Sequence, residues 1–289
     1  MKSRLYIVLM LIALSVLSCE RDFNEKTDSN RSDVTFRLNC RTLFNNLLCY
    51  TDEGYDFCAR DYLKGGENLL IRAYCYNQND YLVASYVKTV PWQKGLYVDI
   101  HWDYLWSTVE YHSVFFAELV DGSDEEGYFE SWFCMATEDW SRSYLYCDEL
   151  SNDILRDALY KVETDFVPDH DTIELRFQPY TYNVYLECDN LGEADTLLTR
   201  FSSAGRVRLQ SNTTTDYLQR YYSQDSKDPT PLMITMPYAE DTIWARFCTH
   251  TPENRDTMYY YFWNRSHNSY VITIDAQDLN NYKMKDYYY

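Results

Sequence analysis

Apolar and polar residues alternate along most of the chain from residue 34 onwards. Val34, Phe36 and Leu38, for example, are separated by Thr35 and Arg37. Because successive side chains of a β-strand point to opposite faces, each alternating run predicts a strand with one buried face. Strands are predicted on this basis at residues 34–38, 69–75, 81–87, 96–101, 112–119, 128–135, 173–177, 182–188, 207–209, 232–236, 242–247, 258–263 and 270–275.

Three segments interrupt this alternation. The polar residues 77–80 predict a turn that joins two strands into a hairpin. Residues 148–162 carry apolar side chains at helical spacing and predict a helix. Residues 166–171 contain a proline and end the strand pattern, so we place a domain boundary there. The predicted fold class is all-β, with two antiparallel β-sandwich domains at residues 34–167 and 168–289.

The first 18 residues have the features of a secretion signal. Lys2 and Arg4 precede an apolar run at residues 5–17, which is shorter than the roughly 20 residues that a membrane-spanning helix needs. Residues 16–19, Val-Leu-Ser-Cys, resemble the lipobox of bacterial lipoproteins. The resemblance predicts a signal peptide at residues 1–18, cleaved before Cys19, and lipidation of that cysteine.

The predicted lipid defines the location of the protein. Several acyl chains on Cys19, palmitate among them, hold a protein on a membrane far better than one chain does. Residues 19–33 are polar and charged, which predicts a flexible tether between the lipid and the folded part. We therefore expect an outer-membrane lipoprotein that is anchored through Cys19 and displayed at the cell surface.

The composition excludes one class of partner and favours sheet structure. The formal net charge is −19, and removal of Lys2 and Arg4 with the signal changes it to −21. A protein with this much negative charge repels phosphate backbones, and nucleic acid is therefore not expected as a partner. The chain has 30 Tyr, 13 Phe and 7 Trp. Aromatic residues suit the half-buried surface of a sheet, and exposed ones also suit a platform for sugars.

The cysteines leave two interpretations open. The chain has nine of them, so eight remain when the predicted lipid site Cys19 is set aside. An even number in an oxidising compartment is consistent with disulfides, although the sequence does not choose a pairing. Burial as plain thiols on apolar strand faces is the other interpretation. The eight are Cys40, Cys49, Cys58, Cys75, Cys134, Cys147, Cys188 and Cys248.

Sequence motifs for catalysis or metal binding are missing. The chain carries no P-loop, dinucleotide-binding, hydrolase or zinc-protease motif. His101 and His112 lie eleven residues apart, which is not a recognised metal-ligand spacing. The acidic residues within 121–130 lack the order of a calcium loop, and we interpret them as a solvated hairpin loop. A catalytic pair of carboxylates like that of a glycosidase stays an open alternative, because the distance between the two carboxylates is set by the fold and cannot be read from the sequence. We predict a protein that is not an enzyme and binds no metal or cofactor.

A short pattern occurs four times in the second half of the chain. Asp-Thr-apolar triplets are centred on Thr172, Thr196, Thr242 and Thr257. They resemble the O-glycosylation signal of some Gram-negative bacteria, which predicts modification of these threonines. The same triplets are also typical of the start of a strand, where Asp favours the turn and Thr favours the strand.

Several segments together resemble fimbrillin-type outer-membrane lipoproteins, the superfamily of fimbrial anchor proteins and minor fimbrial subunits. Residues 69–76, LLIRAYCY, run through a polar turn into residues 81–83, and residues 112–117, HSVFFA, resemble the next strand of that family. Residues 178–186, QPYTYNVYL, resemble the first strand of its C-terminal domain. The many cysteines and few glycines depart from the family pattern.

The resemblance implies transthyretin-like or immunoglobulin-like sandwiches and a non-catalytic role. Such proteins anchor or end fimbriae or mediate adhesion, and a neighbouring subunit adds a β-strand to a groove or sheet edge. The expected partners are therefore the membrane, through the lipid, and fimbrial subunits. The alternative is a surface glycan-binding lipoprotein of a polysaccharide-uptake system, with carbohydrate as its partner.

Overall fold

The structure is a computed structural model. It describes residues 30–51, 53–57, 67–93, 95–123, 128–130, 133–136, 138–147, 158–189, 197–202, 206–210, 217–222, 231–237, 242–249, 257–263, 269–275, 278 and 282–288.

These residues form 22 β-strands and one 3₁₀ turn at Trp140–Arg142. The described part of the chain contains no α-helix, and the predicted all-β fold class is confirmed. The strands are β1 (Arg31–Asn39), β2 (Leu48–Thr51), β3 (Gly54–Phe57), β4 (Asn68–Asn77), β5 (Leu82–Pro91), β6 (Tyr97–Trp106), β7 (Tyr111–Ser123), β8 (Tyr128–Glu130), β9 (Phe133–Ala136), β10 (Tyr144–Cys147), β11 (Leu159–Phe166), β12 (Thr172–Arg176), β13 (Gln178–Pro179), β14 (Thr181–Asp189), β15 (Leu197–Ser202), β16 (Arg206–Arg208), β17 (Tyr217–Tyr222), β18 (Leu232–Pro237), β19 (Thr242–Thr249), β20 (Thr257–Trp263), β21 (Ser269–Asp275) and β22 (Tyr282–Tyr287).

The strands are arranged in five sheets and one hairpin. Sheet I has the order β12-β1-β6, and sheet II has the order β13-β11-β7-β4-β5 with β8 paired to β7. Sheet III is β16-β10-β9, sheet IV is β18-β14-β21-β22, and sheet V is β17-β15-β19-β20. The hairpin consists of β2 and β3. Most neighbouring strands are antiparallel, but β1 runs parallel to β12 and β14 runs parallel to β21.

The main hydrophobic core lies between sheets I and II. The alternation in β1 turns Val34, Phe36 and Leu38 inwards, where all three are buried. The Phe36 ring lies 5.0 Å from the rings of both Phe115 and Phe166, measured between centroids. Each fully buried side chain of this size stabilises the fold by about 1.5 to 3 kcal/mol. The period-two pattern therefore marks the face that forms this core.

The opposite face of sheet II is also covered. Sheet III and the 3₁₀ turn pack against it, and Tyr76, Phe116, Trp140, Leu145 and Val207 form a second buried cluster. The backbone N–H of Trp140 donates a hydrogen bond to the carbonyl of the β4–β5 turn, at 2.9 Å. A strand that is buried on both faces needs apolar residues at consecutive positions. This explains the almost continuous apolar runs of β4 and β7.

Strand pairing bears on the predicted division at residue 168. Strands β12 and β13 follow that residue, yet β12 pairs with β1 and β13 pairs with β11. Strand β16 pairs with β10 of the first half as well. Domains 34–167 and 168–289 stay a prediction, and these three pairings link strands on the two sides of that boundary.

The helix predicted for residues 148–162 is wrong at its C-terminal end. Residues 159–162 belong to β11, which pairs antiparallel with β7 from Leu159 to Phe166. Residues 148–157 lie outside the described part of the chain. Tyr160, Val162 and Phe166 face the main core at alternate positions. The strand period was therefore present, but the helical spacing of the preceding apolar residues obscured it.

The β2–β3 hairpin connects the first half to sheet IV. Leu48 of the hairpin is buried against Tyr185 and Val271 of that sheet. The Tyr185 hydroxyl donates a hydrogen bond to the Leu48 carbonyl at 2.8 Å, and the Tyr55 hydroxyl donates one to Glu187 Oε1 at 2.5 Å. Burial and the Glu187 carboxylate raise the pKa of Tyr55, so this phenol stays a neutral donor. The hairpin is held by apolar contact and by directed hydrogen bonds.

Two of the cysteines are plain buried thiols. Cys40 and Cys75 are free and lie in the main core, where burial raises the pKa of each to about 12. A thiol with such a pKa is an inert core residue at neutral pH. Cys49 and Cys188 are buried too. The side chains of Cys58, Cys134, Cys147 and Cys248 lie outside the described part of the structure.

No helix among the described residues is long and apolar enough to cross a membrane.

Candidate functional site

The predicted modification sites fall partly within the described structure. Cys19 and Thr196 lie outside the described residues. Thr172, Thr242 and Thr257 are each the first residue of a strand, and Thr172 is exposed. Their positions agree with the strand-start interpretation of the Asp-Thr-apolar triplets. Lipidation of Cys19 and glycosylation of the four threonines stay predictions.

The histidines considered as metal ligands have other partners. His101 Nδ1 lies 2.9 Å from the Thr35 hydroxyl on sheet I, whereas His112 Nδ1 lies 2.8 Å from Asp165 Oδ1 on sheet II. Across the residues that the structure describes, no group of three or more His, Cys, Asp or Glu side chains is placed to hold a metal ion.

His112 belongs to a charged cluster beside the 3₁₀ turn. Its ring packs on Trp140 with centroids 5.0 Å apart, and its Nε2 lies 3.7 Å from Glu163 Oε2. Lys161 Nζ lies 2.8 Å from the same Glu163 oxygen. Burial lowers the pKa of His112, but Glu163 and Asp165 outweigh it and raise that pKa above its usual value. Burial raises the pKa of Glu163, but His112 and Lys161 bring it down to about 2. Glu163 is therefore ionised, and the contacts of His112 with Glu163 and Asp165 join β7 to β11.

The free edge of β5 is the feature best suited to assembly. Strand β5 pairs antiparallel with β4 along Leu82–Pro91. Tyr81, directly before β5, forms an isolated bridge with Asp139, and no described strand pairs with the outer side of β5 itself. The outer side of an edge strand presents backbone N–H and C=O groups that a strand from another chain pairs with. A ten-residue edge of this kind has the geometry for β-augmentation.

The two ends of β5 differ in how they are protected. Lys88 is exposed and Pro91 ends the strand, and charges and prolines are the devices by which proteins block edge pairing. Residues 82–87 carry neither. Val83 is 44% exposed and Val87 is 50% exposed, both on the same face of the strand as Ser85. This stretch offers an open edge of roughly 20 Å, at about 3.4 Å per residue, flanked by exposed valines.

The rest of the hairpin holds this edge in place. Ala84, Tyr86 and Val90 pack against the main core on the other face of β5. At the turn, the Asn77 side chain accepts hydrogen bonds from the N–H groups of residue 79 at 2.9 Å and residue 81 at 3.2 Å. The turn predicted for residues 77–80 is therefore confirmed. A preformed edge costs a partner less ordering entropy than a flexible segment would.

Sequence reasoning predicted the strand at residues 81–87 but not its edge position. Alternation reports which face is buried and says nothing about which neighbour a strand pairs with. The one available signal is local. Val83 and Val87 stand at solvent-facing positions of the alternation, next to the lysine and proline that are typical of an edge.

Several solved structures are similar to this chain, each at low sequence identity. A candidate polysaccharide-binding protein from Bacteroides thetaiotaomicron is 12% identical over 85% of this chain and 91% of its own, with a TM-score of 0.49. The fimbrial anchor protein Mfa2 from Porphyromonas gingivalis is 13% identical over 87% of this chain and 95% of its own, with a TM-score of 0.48. A fimbrial assembly protein from Parabacteroides distasonis is 9% identical over 89% and 96%, with a TM-score of 0.43.

No protein-family model and no curated protein matches the chain. The similar structures include fimbrial and cell adhesion proteins.

Proposed function

We propose that this protein is a non-catalytic component of the cell surface that joins a fimbrial or adhesive assembly by accepting a strand at β5. The observation that carries the proposal is the open, uncharged edge at residues 82–87 with its exposed valines. Added backbone hydrogen bonds give affinity in this mode of binding, and side-chain contacts at alternate positions give specificity. The fitting partner is an extended segment of a fimbrial subunit with apolar residues at alternate positions.

The predicted tether supports this role. Lipid on Cys19 holds the chain at the outer membrane, and the polar residues that follow give the folded part freedom to meet a partner. Strand β1 begins at Arg31, which is twelve residues after Cys19. A spacer of this length spans at most about 40 Å when extended. The folded part therefore stays close to the membrane, as a fimbrial anchor requires.

The absence of an enzymatic role is part of the proposal. His112 faces two carboxylates, and His101 hydrogen-bonds a threonine on an exposed sheet surface. Both histidines therefore hydrogen-bond or pair with structural partners. A general base would instead have to contact a nucleophile.

Lysine substitutions at the edge test the strand-addition step. Val83→Lys and Val87→Lys place a charge beside the segment where the partner strand would lie. We expect each to weaken assembly about tenfold, which corresponds to ~1.4 kcal/mol. The matched control is Val167→Lys, because Val167 is 47% exposed but lies between strands, away from the edge. A deletion strain complemented with each variant is scored for surface fimbriae by electron microscopy and for adhesion.

Two outcomes of that experiment contradict the proposal. Normal fimbriae and adhesion in both edge variants would remove β5 as the assembly site. Intact fimbriae in the deletion strain, together with lost growth on one polysaccharide, would favour the glycan-uptake alternative.

A Cys19→Ala variant tests the membrane anchor. We expect it to leave the outer-membrane fraction and to appear soluble, since lipid rather than charge holds so acidic a chain on a membrane. The control is the unmodified chain in cells treated with a signal-peptidase inhibitor specific for lipoproteins. A variant that stays with the outer membrane at normal levels would show that another anchor exists.

A further inference from the structure

The exposed face of sheet I contains a shallow polar depression. Its walls are Arg37 on β1, Tyr97 and Asp99 on β6, and Glu174 on β12, and its volume is about 380 Å³. The strand register brings these positions together, because Arg37 is directly opposite both Asp99 and Glu174. The three strands therefore build one row of charged side chains across the sheet, and Tyr97 lies in the next row, opposite Asn39.

Hydrogen bonds fix the orientation of these side chains. Arg37 Nε and Nη2 each donate to one oxygen of Asp99, both at 3.0 Å, which is a bidentate pair. Asn39 Nδ2 donates to Glu174 Oε1 at 3.4 Å and to the Tyr97 hydroxyl at 3.5 Å. The hydrogen bond and charge of Asp99 raise the pKa of Arg37, and Arg37 in turn lowers the pKa of Asp99. Both groups are ionised at neutral pH.

The site keeps unused hydrogen-bonding capacity that faces solvent. The Arg37 side chain is 49% exposed and the Asp99 side chain is 37% exposed. Carboxylates have about four acceptor positions and the guanidinium has five donors, and their mutual pair uses two of each. Tyr97 is 40% exposed and offers part of its ring. Fixed acceptors, a fixed donor and a partly exposed aromatic ring within one concavity are the elements of a small-molecule site.

We propose that this depression binds one neutral sugar unit of a glycan. Adjacent hydroxyls of a sugar both donate and accept, so they match the carboxylates of Asp99 and Glu174 as acceptors and Arg37 as a donor. The Tyr97 ring covers the apolar C–H face of the sugar.

The charge balance selects the class of sugar. One guanidinium faces two carboxylates, so the depression has a net negative charge within a chain of formal charge −19. Uronic acids, sialic acids and phosphorylated sugars are repelled by this field. An uncharged hexose avoids that repulsion and pairs with both signs of charge.

The inference does not rest on the proposed role of β5. The depression lies on the outer face of sheet I, whereas β5 is an edge of sheet II. Substitutions at Val83 or Val87 are expected to leave sugar binding unchanged. The two proposals therefore fail separately.

Calorimetric titration of the full-length chain tests the site. The probes are neutral tetrasaccharides of glucose, mannose and galactose, with a tetrasaccharide of galacturonic acid as the acidic comparison. We expect one neutral probe to bind with a Kd on the order of 1 mM and the acidic one not to bind. Tyr97→Ala and Glu174→Gln are each expected to weaken binding by about tenfold or more, which is ~1.4 kcal/mol.

Matched controls separate the site from general effects. Asp103→Asn removes an exposed carboxylate from the same strand, and Tyr81→Ala removes an aromatic ring that is 61% exposed elsewhere. Both are expected to bind like the unmodified chain, and melting temperatures check that every variant is folded. The proposal is overturned if no neutral probe binds at about 20 mM, well above the expected Kd, if the acidic probe binds better, or if binding survives in both site variants.

Discussion

The two faces of sheet II differ in chemistry although the same strands supply both. Towards sheet I, β4 and β7 present Leu69, Ile71, Ala73, Phe115 and Ala117, which are all apolar and buried. Towards sheet III, the same strands alternate aromatic rings with charged groups. The charged groups include the ion pair between Arg72 and Glu118, in which the Glu118 side chain is 1% exposed. One face is a continuous apolar core, and the other is an apolar core with ionic contacts built into it.

This difference indicates separate tasks for the two faces. Burial of apolar area is non-directional, so the face towards sheet I supplies stability without fixing a particular alignment. Buried ion pairs add little net stability, because the charges lose their hydration, but a displaced pair is costly. We infer that Arg72–Glu118, which lies within sheet II, fixes the alignment of β4 with β7, and that Lys161, whose Nζ lies 5.5 Å from the Trp140 ring centroid, helps to position the 3₁₀ turn on that sheet.

The largest expected effect is on the apolar face. Phe115→Ala removes a fully buried ring that packs against Phe36, and we expect a loss of about 3 to 5 kcal/mol in the free energy of unfolding. Chemical denaturation followed by tryptophan fluorescence measures this loss. Val167→Ala, at an exposed position, is the control and is expected to change stability by less than about 0.5 kcal/mol. A small effect of Phe115→Ala would mean that this face is not the main core.

The ion pair on the other face gives the second prediction. Glu118→Leu leaves the Arg72 side chain, which is only 12% exposed, opposite an apolar group, and we expect a loss of about 3 kcal/mol in the free energy of unfolding. The double variant Arg72→Met/Glu118→Leu removes both charges and is expected to recover most of that loss. Denaturation of both variants and of the unmodified chain measures the coupling. If the double variant is as unstable as the single one, the pair is not an isolated electrostatic unit.

The smallest expected effect is a pH dependence from His112. Its pKa is raised in the fold, so its contribution to stability is fully present below its unfolded pKa of about 6.5 and is lost as pH rises through the folded value. Glu163, with a pKa of about 2, stays ionised throughout this range. We expect the thermal midpoint to fall between pH 6 and pH 8, and His112→Gln to flatten this slope. His101→Gln, on sheet I, is the control, and an equal flattening there would contradict the assignment.

The sequence predicted the strands better than their neighbours. Alternation located β1, β4, β6, β7, β14 and β21 to within a few residues, because the main core needs one apolar face per strand. Pairing depends on how the chain crosses over, so the parallel alignment of β1 with β12 left no local signal. The predicted helix was wrong at residues 159–162 because Leu159 and the apolar residues before it fit both the helical period of 3.6 and the strand period of two.

The same limit applies to the candidate sites. Arg37, Asp99 and Glu174 are far apart in sequence, and only the register of three strands makes them neighbours. No spacing rule joins residues that distant. The edge at Val83 and Val87 could be predicted only in part. Solvent-facing valines in a strand indicate a binding surface only once the strand is known to lie at a sheet edge. The sequence therefore predicts the all-β fold class but not which residues the strand register brings together.

The position of β1 determines how the molecule responds to mechanical load. Strand β1 is clamped between β6, with eight register pairs, and β12, with five, so a pull directed along β1 through the residues before Arg31 loads both of these ladders. Pulled lengthwise, both ladders are sheared, and their hydrogen bonds must break together instead of one after another. A strand at a sheet edge, peeled from its end, would unzip at far lower force. If the predicted tether transmits the load into this central strand, the unfolding rate under tension is set by the two ladders of β1 in sheet I.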